Sequence, residues 1–194
     1  MTRDEVLLAV KRGESLSEAN LSGIDLTGAA LQGIDLSRAN LTGAVLRGAD
    51  LSRAQLQDGI LRRADLRSAI LRKAYLVGAD LEEADLEEAD LEEAFLSGSR
   101  VRSTNFCKAN LKSARIGTIH VGKTGPRNRP TSFQEANLER AFLGETDFNS
   151  VDLRGANLRR AHLYDAQLRG ALLEGTNLTD AVTRGPVPTI SCVR

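Results

Sequence analysis

A leucine occupies every fifth position from Leu41 to Leu96, and the spacing never slips. An alanine stands two residues before almost every one, as in the stretch ADLEEADLEEADLEE from Ala79 to Glu93. No ordinary element has this period. A helix brings one face round every 3.6 residues and a strand alternates every two. A strict period of five therefore points to stacked repeats, where each unit buries its apolar residues only against its neighbours. The small Ala and large Leu of each unit fill a narrow interior in layers, and the backbone must pair with layers above and below.

The beat extends well beyond its clearest stretch. From Leu16 to Ile116 there are 21 consecutive units, with Val101, Phe106 and Ile116 the only centres that are not Leu. The residue two before the centre is Ala in most units, and Ile24, Ile34, Gly59, Ser99 and Thr104 depart from it. The loosening from Ser99 to Phe106 predicts a local change of turn type or cross-section. Ten further units run from Phe133 to Leu178. The repeated Ala-(Asp/Asn)-Leu-X-X resembles the pentapeptide repeat family over roughly Leu16 to Leu178. That resemblance implies an all-β fold, a right-handed quadrilateral β-helix with four units to a coil and the centre and its Ala partner pointing inward. Thirty-one units then make about eight coils. At ~4.8 Å between adjacent strands the rod would be on the order of 35–40 Å long.

The ends and one interruption break the pattern. Residues 1–14 read as a capping helix: Thr2 and Glu5 fit a capping box, Val6, Leu7 and Val10 share a face, and Gly13 fits a stop. Its task would be to cover the first layer and its unpaired backbone. Residues 15–121 form the first solenoid stretch. A projecting loop is expected over 122–130, where two Gly, two Pro and three cations make turn chemistry. The second stretch spans 131–181. The 17 residues from Ile116 to Phe133 are not a multiple of five, so seven must be looped out if Val121 still holds a unit. Residues 182–194, with Gly185, Pro186 and Pro188, read as a tail or cap.

Charge and composition restrict the function classes. Twenty-six cations balance 26 anions, so no strong pull on nucleic acid or anionic membrane is expected. Cys107 and Cys192 do not make a disulfide framework, and no signal peptide or apolar membrane span is evident. A cytoplasmic protein is the expectation. His120 and His162 stand in no catalytic or metal-ligand constellation, so neither an enzyme nor a cofactor is expected. Gly117 to Thr124 satisfies the phosphate-loop pattern, yet Gly125 and Pro126 follow where a helix should begin, which favours coincidence over nucleotide binding. Lys123, Arg127 and Arg129 read either as a cationic finger for an acidic partner or as a solvated loop.

Residues 20 apart should lie above one another in adjacent coils. Glu82 and Glu83 then fall between Arg62, Arg63 and Arg102, Glu87 falls beside Arg67, and Glu92 and Glu93 fall between Arg72, Lys73 and Lys112. This is a ladder of exposed ion pairs, each worth only ~0–1 kcal/mol, rather than a DNA-like anionic surface. The same rule, with a seven-residue loop-out, aligns Gln55, Tyr75, Phe95, Arg115, Phe142, His162 and Val182, with Tyr164 nearby. The outward neighbours are bland. Such a stripe reads as a protein-binding patch or as a column stacked on itself. The expected function is thus a non-enzymatic protein-interaction module. Likeness to the quinolone-resistance branch implies DNA gyrase or topoisomerase IV as partner and protection from a toxin or antibiotic. A generic scaffold is the other reading. The resemblance also implies a homodimer through the C-terminal coils.

Overall fold

A computed structural model describes residues 1–119, 121 and 130–183. The protein is a right-handed quadrilateral β-helix preceded by one short helix. Each side of a coil contributes a single bridging residue, the one before the centre, and it pairs in parallel with the residue 20 further on. We number the sides by the first coil, with Leu16, Leu21, Leu26 and Leu31 on sides one to four.

The unit Ala84-Asp85-Leu86-Glu87-Glu88 shows why this sequence makes this backbone. Ala84 N–H donates to Leu81 O (2.9 Å) and closes a turn. Asp85 N–H donates to Ala64 O in the preceding coil (3.0 Å). Leu86 and Glu88 donate to Asn105 O and Cys107 O in the next coil (2.8 and 3.0 Å). The remaining N–H, of Glu87, donates to the Asp85 carboxylate (3.1 Å). All five donors are satisfied only because an Asp or Asn precedes the leucine, as an Asx turn requires. The residue two after nearly every centre has positive φ, such as Glu88 at 59° and Gly43 at 67°, which makes the corner a type II turn; after Ile116, where the interruption begins, the positive φ falls one residue earlier, at Gly117.

The interior is closed. Leu41 to Leu96 and their Ala partners are almost wholly buried. Between Ser99 and Phe106 the expected change of turn does not occur: Gly98, Ser103 and Lys108 keep the same left-handed φ. The change is inside. Val101 on side two is smaller than Leu by one carbon, while Phe106 on side three is larger, so the layer keeps its volume. The next coil repeats this with Val121 and Phe133. Phe106 and Phe133 stack at 4.6 Å, and Phe148 meets Phe133 edge-on at 5.7 Å. Thr104, Thr131 and Thr146 replace inward Ala and donate to Leu81 O, Val101 O and Gly117 O. Ser99, equally buried, has no partner for its hydroxyl among the described residues.

Across the interruption the bridges link Asn105 to Ser132, Asn110 to Asn137 and Arg115 to Phe142. Each separation is 27, one coil plus seven residues. Bridges continue to Val182, opposite His162. Of the residues expected to project, 122–129 lie outside the described residues, as does the tail from 184; Pro130 is exposed and Thr131 already points inward.

Helix α1 spans Arg3–Arg12, with Thr2 and Glu5 exchanging capping bonds and Gly13 left-handed at the end. Val6 and Ala9 are its buried residues, with Leu7 and Val10 half-buried at their flank. Arg3 donates to Asp25 O and Thr27 O (3.1 and 2.9 Å), carbonyls of the first coil that have no coil before them. The helix thus covers the first leucine layer and its arginine satisfies part of the open edge.

Candidate functional site

The outward residue before each centre normally caps its turn. On side four the caps also bond to one another: Asn157 donates to Asn137 (3.1 Å), Asn137 to Asn110 (3.2 Å) and Asn110 to Asp90 (3.0 Å). Side one abandons this device. After Asp35, its bridging residues are Gln55, Tyr75, Phe95, Arg115, Phe142, His162 and Val182, seven coils in a row without Asp or Asn. Sides three and four never lack a cap in two successive coils; Ser132 substitutes, accepting from Gln134 N–H.

The column is one stack. Tyr75 lies flat on Phe95 at 5.0 Å and 6°, and Phe142 on His162 at 4.8 Å and 5°. The Arg115 guanidinium lies between the two pairs, 5.3 Å from the Phe95 ring and 5.9 Å from Phe142. Tyr164 is tilted beside His162, centroids 6.1 Å apart. Because the rings stack along the coil axis, their edges face outward. Tyr75, Phe142 and Tyr164 are 41%, 46% and 39% exposed. Beside the column a groove of about 330 Å³ is lined by Lys73, Glu93 and Ser113. On the other side stand Val77, Gly78, Ser97, Gly98 and Gly144. Gly78 has a left-handed φ of 70°, where a larger residue would be strained.

The charged residues fall as follows. Arg63 meets Glu83 at 3.1 Å, Lys73 meets Glu93 at 3.3 Å, and Arg72 meets Glu92 at 3.6 Å. Glu82 is held between Arg62, at 3.7 Å, and Arg102. Arg67 does not pair with Glu87. It donates back to Asp65 (2.7 Å) and sits 3.6 Å from Asp85, because its side chain folds over its own turn cap. Lys112 makes no ion pair among the described residues. A second rule was missed: the first turn residue reaches diagonally to the cap 18 residues on, as Arg47 to Asp65 (2.5 Å), Arg62 to Asp80 (2.7 Å) and Arg72 to Asp90 (2.5 Å). An Arg followed 18 later by Asp was the available signal. Hydrogen bonding at the caps also moves their protonation. Ser15 and Ser37 hold the Asp35 carboxyl below its ordinary range, and Arg154 does the same for Asp152. Lys123, Arg127 and Arg129, with the phosphate-loop pattern from Gly122, lie outside the described residues.

Among the described residues no group of His, Cys, Asp and Glu is placed to hold a metal, and no helix is long and apolar enough to cross a membrane. The geometry defines a repeat-built rod that presents side chains in columns. The chain belongs to the pentapeptide repeat family, whose profile, described as pentapeptide repeats, matches residues 19–116 and 131–182 in overlapping stretches. Among solved structures, HetL, a pentapeptide repeat protein involved in heterocyst differentiation regulation from the cyanobacterium Nostoc sp. strain PCC 7120, is 27% identical, covering 97% of this chain and 100% of that one with a TM-score of 0.39. QnrB1, a plasmid-mediated fluoroquinolone resistance protein in a trypsin-treated form, is 18% identical, covering 88% and 86% with a TM-score of 0.51. Rfr23 from the cyanobacterium Cyanothece 51142 is 22% identical, covering 93% and 97% at 0.42. No curated protein matches.

Proposed function

We propose that the protein is a non-enzymatic interaction module, a rigid cytoplasmic rod that docks another protein on side one. The supporting observation is the run of seven coils in which that side gives up its turn caps for exposed rings around one arginine. A local rule broken repeatedly on one face is where function is expected. An apolar strip with smooth flanks is the form of a protein-docking patch. The partner we propose is a type II topoisomerase, DNA gyrase or topoisomerase IV, shielded from a toxin or antibiotic. The shared fold with a fluoroquinolone resistance protein motivates that choice. Neutral charge means that the docking would be through protein contacts and not through imitation of DNA.

The test is a gyrase supercoiling and quinolone-induced cleavage assay, titrated with wild type and with Tyr75→Asn, Phe95→Asn, Phe142→Asn combined. Protection by wild type that the variant lacks is the expected result. Supercoiling and cleavage unmoved by wild type would remove the topoisomerase and leave a scaffold with another partner. Full protection by the variant would remove side one. A second reading rests on the stacking itself. Two ring pairs worth ~0.5–1.5 kcal/mol each would make the column a structural device of a generic scaffold. We also propose a homodimer through the last coil, where the inward Leu168, Leu173 and Leu178 are only half-buried; a monomer mass by light scattering would remove it.

A further inference from the structure

We infer that Arg115 is a preformed anchor for a carboxylate, so that the segment docked on side one carries an Asp or Glu set between apolar residues. This rests on the docking reading of side one above. An exposed arginine is ordinarily mobile, but the Arg115 guanidinium is confined between the Phe95 and Phe142 rings. It makes no hydrogen bond or ion pair with any described residue, unlike the paired arginines of the ladder. Its fork of N–H donors is therefore flanked by a ring on either side and unspent, and that fork matches a carboxylate. The rings reinforce the choice. Their outward edges carry partial positive charge, so an anion on Arg115 meets favourable edges on both sides.

The flanks decide which anion. Glu93 lines the groove beside Arg115, paired to Lys73, and Glu145, three residues after Phe142 in the chain, is exposed. A polyphosphate backbone laid along this column would meet those carboxylates, and the chain has no net positive charge to offset them. A single carboxylate on Arg115 meets only Glu93, which Lys73 already neutralises, while Tyr75 and Phe142 receive the apolar neighbours.

The experiment selects random linear peptides displayed on phage against the full chain, then measures binding of the enriched peptides. Expected are peptides with Asp or Glu between apolar residues. Arg115→Gln, and separately the peptide's acid changed to its amide, should each weaken binding at least about tenfold, with little further loss when combined. Arg115→Lys, which keeps charge without the planar fork, should fall between and carries the test if Arg115→Gln does not fold. Peptides that bind Arg115→Gln and Arg115→Lys unchanged but are lost on Tyr75→Asn and Phe142→Asn would overturn the anchor and leave the docking face standing. No enriched peptide that depends on any residue of the column would overturn both. Displacement of the peptides by a single-stranded DNA oligonucleotide in an Arg115-dependent way would overturn the carboxylate assignment.

Discussion

Asn137→Ala probes the logic of the turn caps most sharply. The Asn137 side chain accepts from Glu139 N–H (3.2 Å) and from Asn157 (3.1 Å), and donates to Asn110 (3.2 Å). The first bond resembles a helix cap, worth about 1 kcal/mol. The two amide bonds lie at a half-buried site, so the lower end of the usual range applies, about 0.5 kcal/mol each. The sum is roughly 2 kcal/mol, which for a chain of this length lowers the midpoint of thermal unfolding by about 4–8 °C. Asn137→Asp separates the parts. It keeps the cap and still accepts from Asn157 but loses the donor to Asn110, so about a quarter of the loss, roughly 0.5 kcal/mol, is expected. Thermal unfolding by circular dichroism, with urea midpoints as a check, reads both. A midpoint unmoved in Asn137→Ala, or Asp falling as far as Ala, would refute the argument that this residue type is there to cap and to ladder.

Inside the rod, Ser99→Ala should raise stability by about 1 kcal/mol, since the hydroxyl it removes is buried without a partner among the described residues; Thr104→Ala should lower it, because that hydroxyl is spent on Leu81 O. A lower urea midpoint for Ser99→Ala would contradict this. At the corners, Glu88→Gly relieves a left-handed residue at a net gain of roughly 0.5 kcal/mol, while Gly43→Val costs about 1–2 kcal/mol, and denaturant midpoints should shift in opposite directions. Asp35 and Asp152 have folded pKa values below their unfolded ones. Their contribution is therefore complete above the unfolded value near ~3.9 and lost as pH falls through the folded values, so the acid transition should soften in Asp35→Asn and Asp152→Asn. An acid-unfolding profile identical to wild type would show that these carboxylates do not carry it.

Much of this was legible because the repeat is a code with few letters. Period five fixes which residues turn inward, and spacing of 20, or 27 across the interruption, fixes which lie in a column; Tyr75, Phe95, Arg115 and Phe142 align by counting alone. Side-chain reach was harder to count. Arg67 and Glu87 are neighbours by register, yet the arginine is long enough to return to Asp65 and has a fixed carboxylate there. The role of Arg115 was hidden for a different reason: an arginine among aromatics looks like an interruption until the rings are seen on both of its faces. The Ser99 to Phe106 irregularity was visible, but spacing does not say whether backbone or interior absorbs it. Val101 beside Phe106 absorbs it in side-chain volume.

The most direct test of the docking reading needs no partner. In the combined variant Tyr75→Asn, Phe95→Asn, Phe142→Asn, each new Asn can restore a turn cap worth about 1 kcal/mol. Against this stand two ring pairs and two cation–ring contacts, together about 3 kcal/mol. A column kept for docking should lose little: the thermal midpoint stays within a few degrees of wild type. A column kept for stability is worth more than the three caps that replace it, and a fall of 10 °C or more, on the order of 3 kcal/mol or greater, would contradict the account.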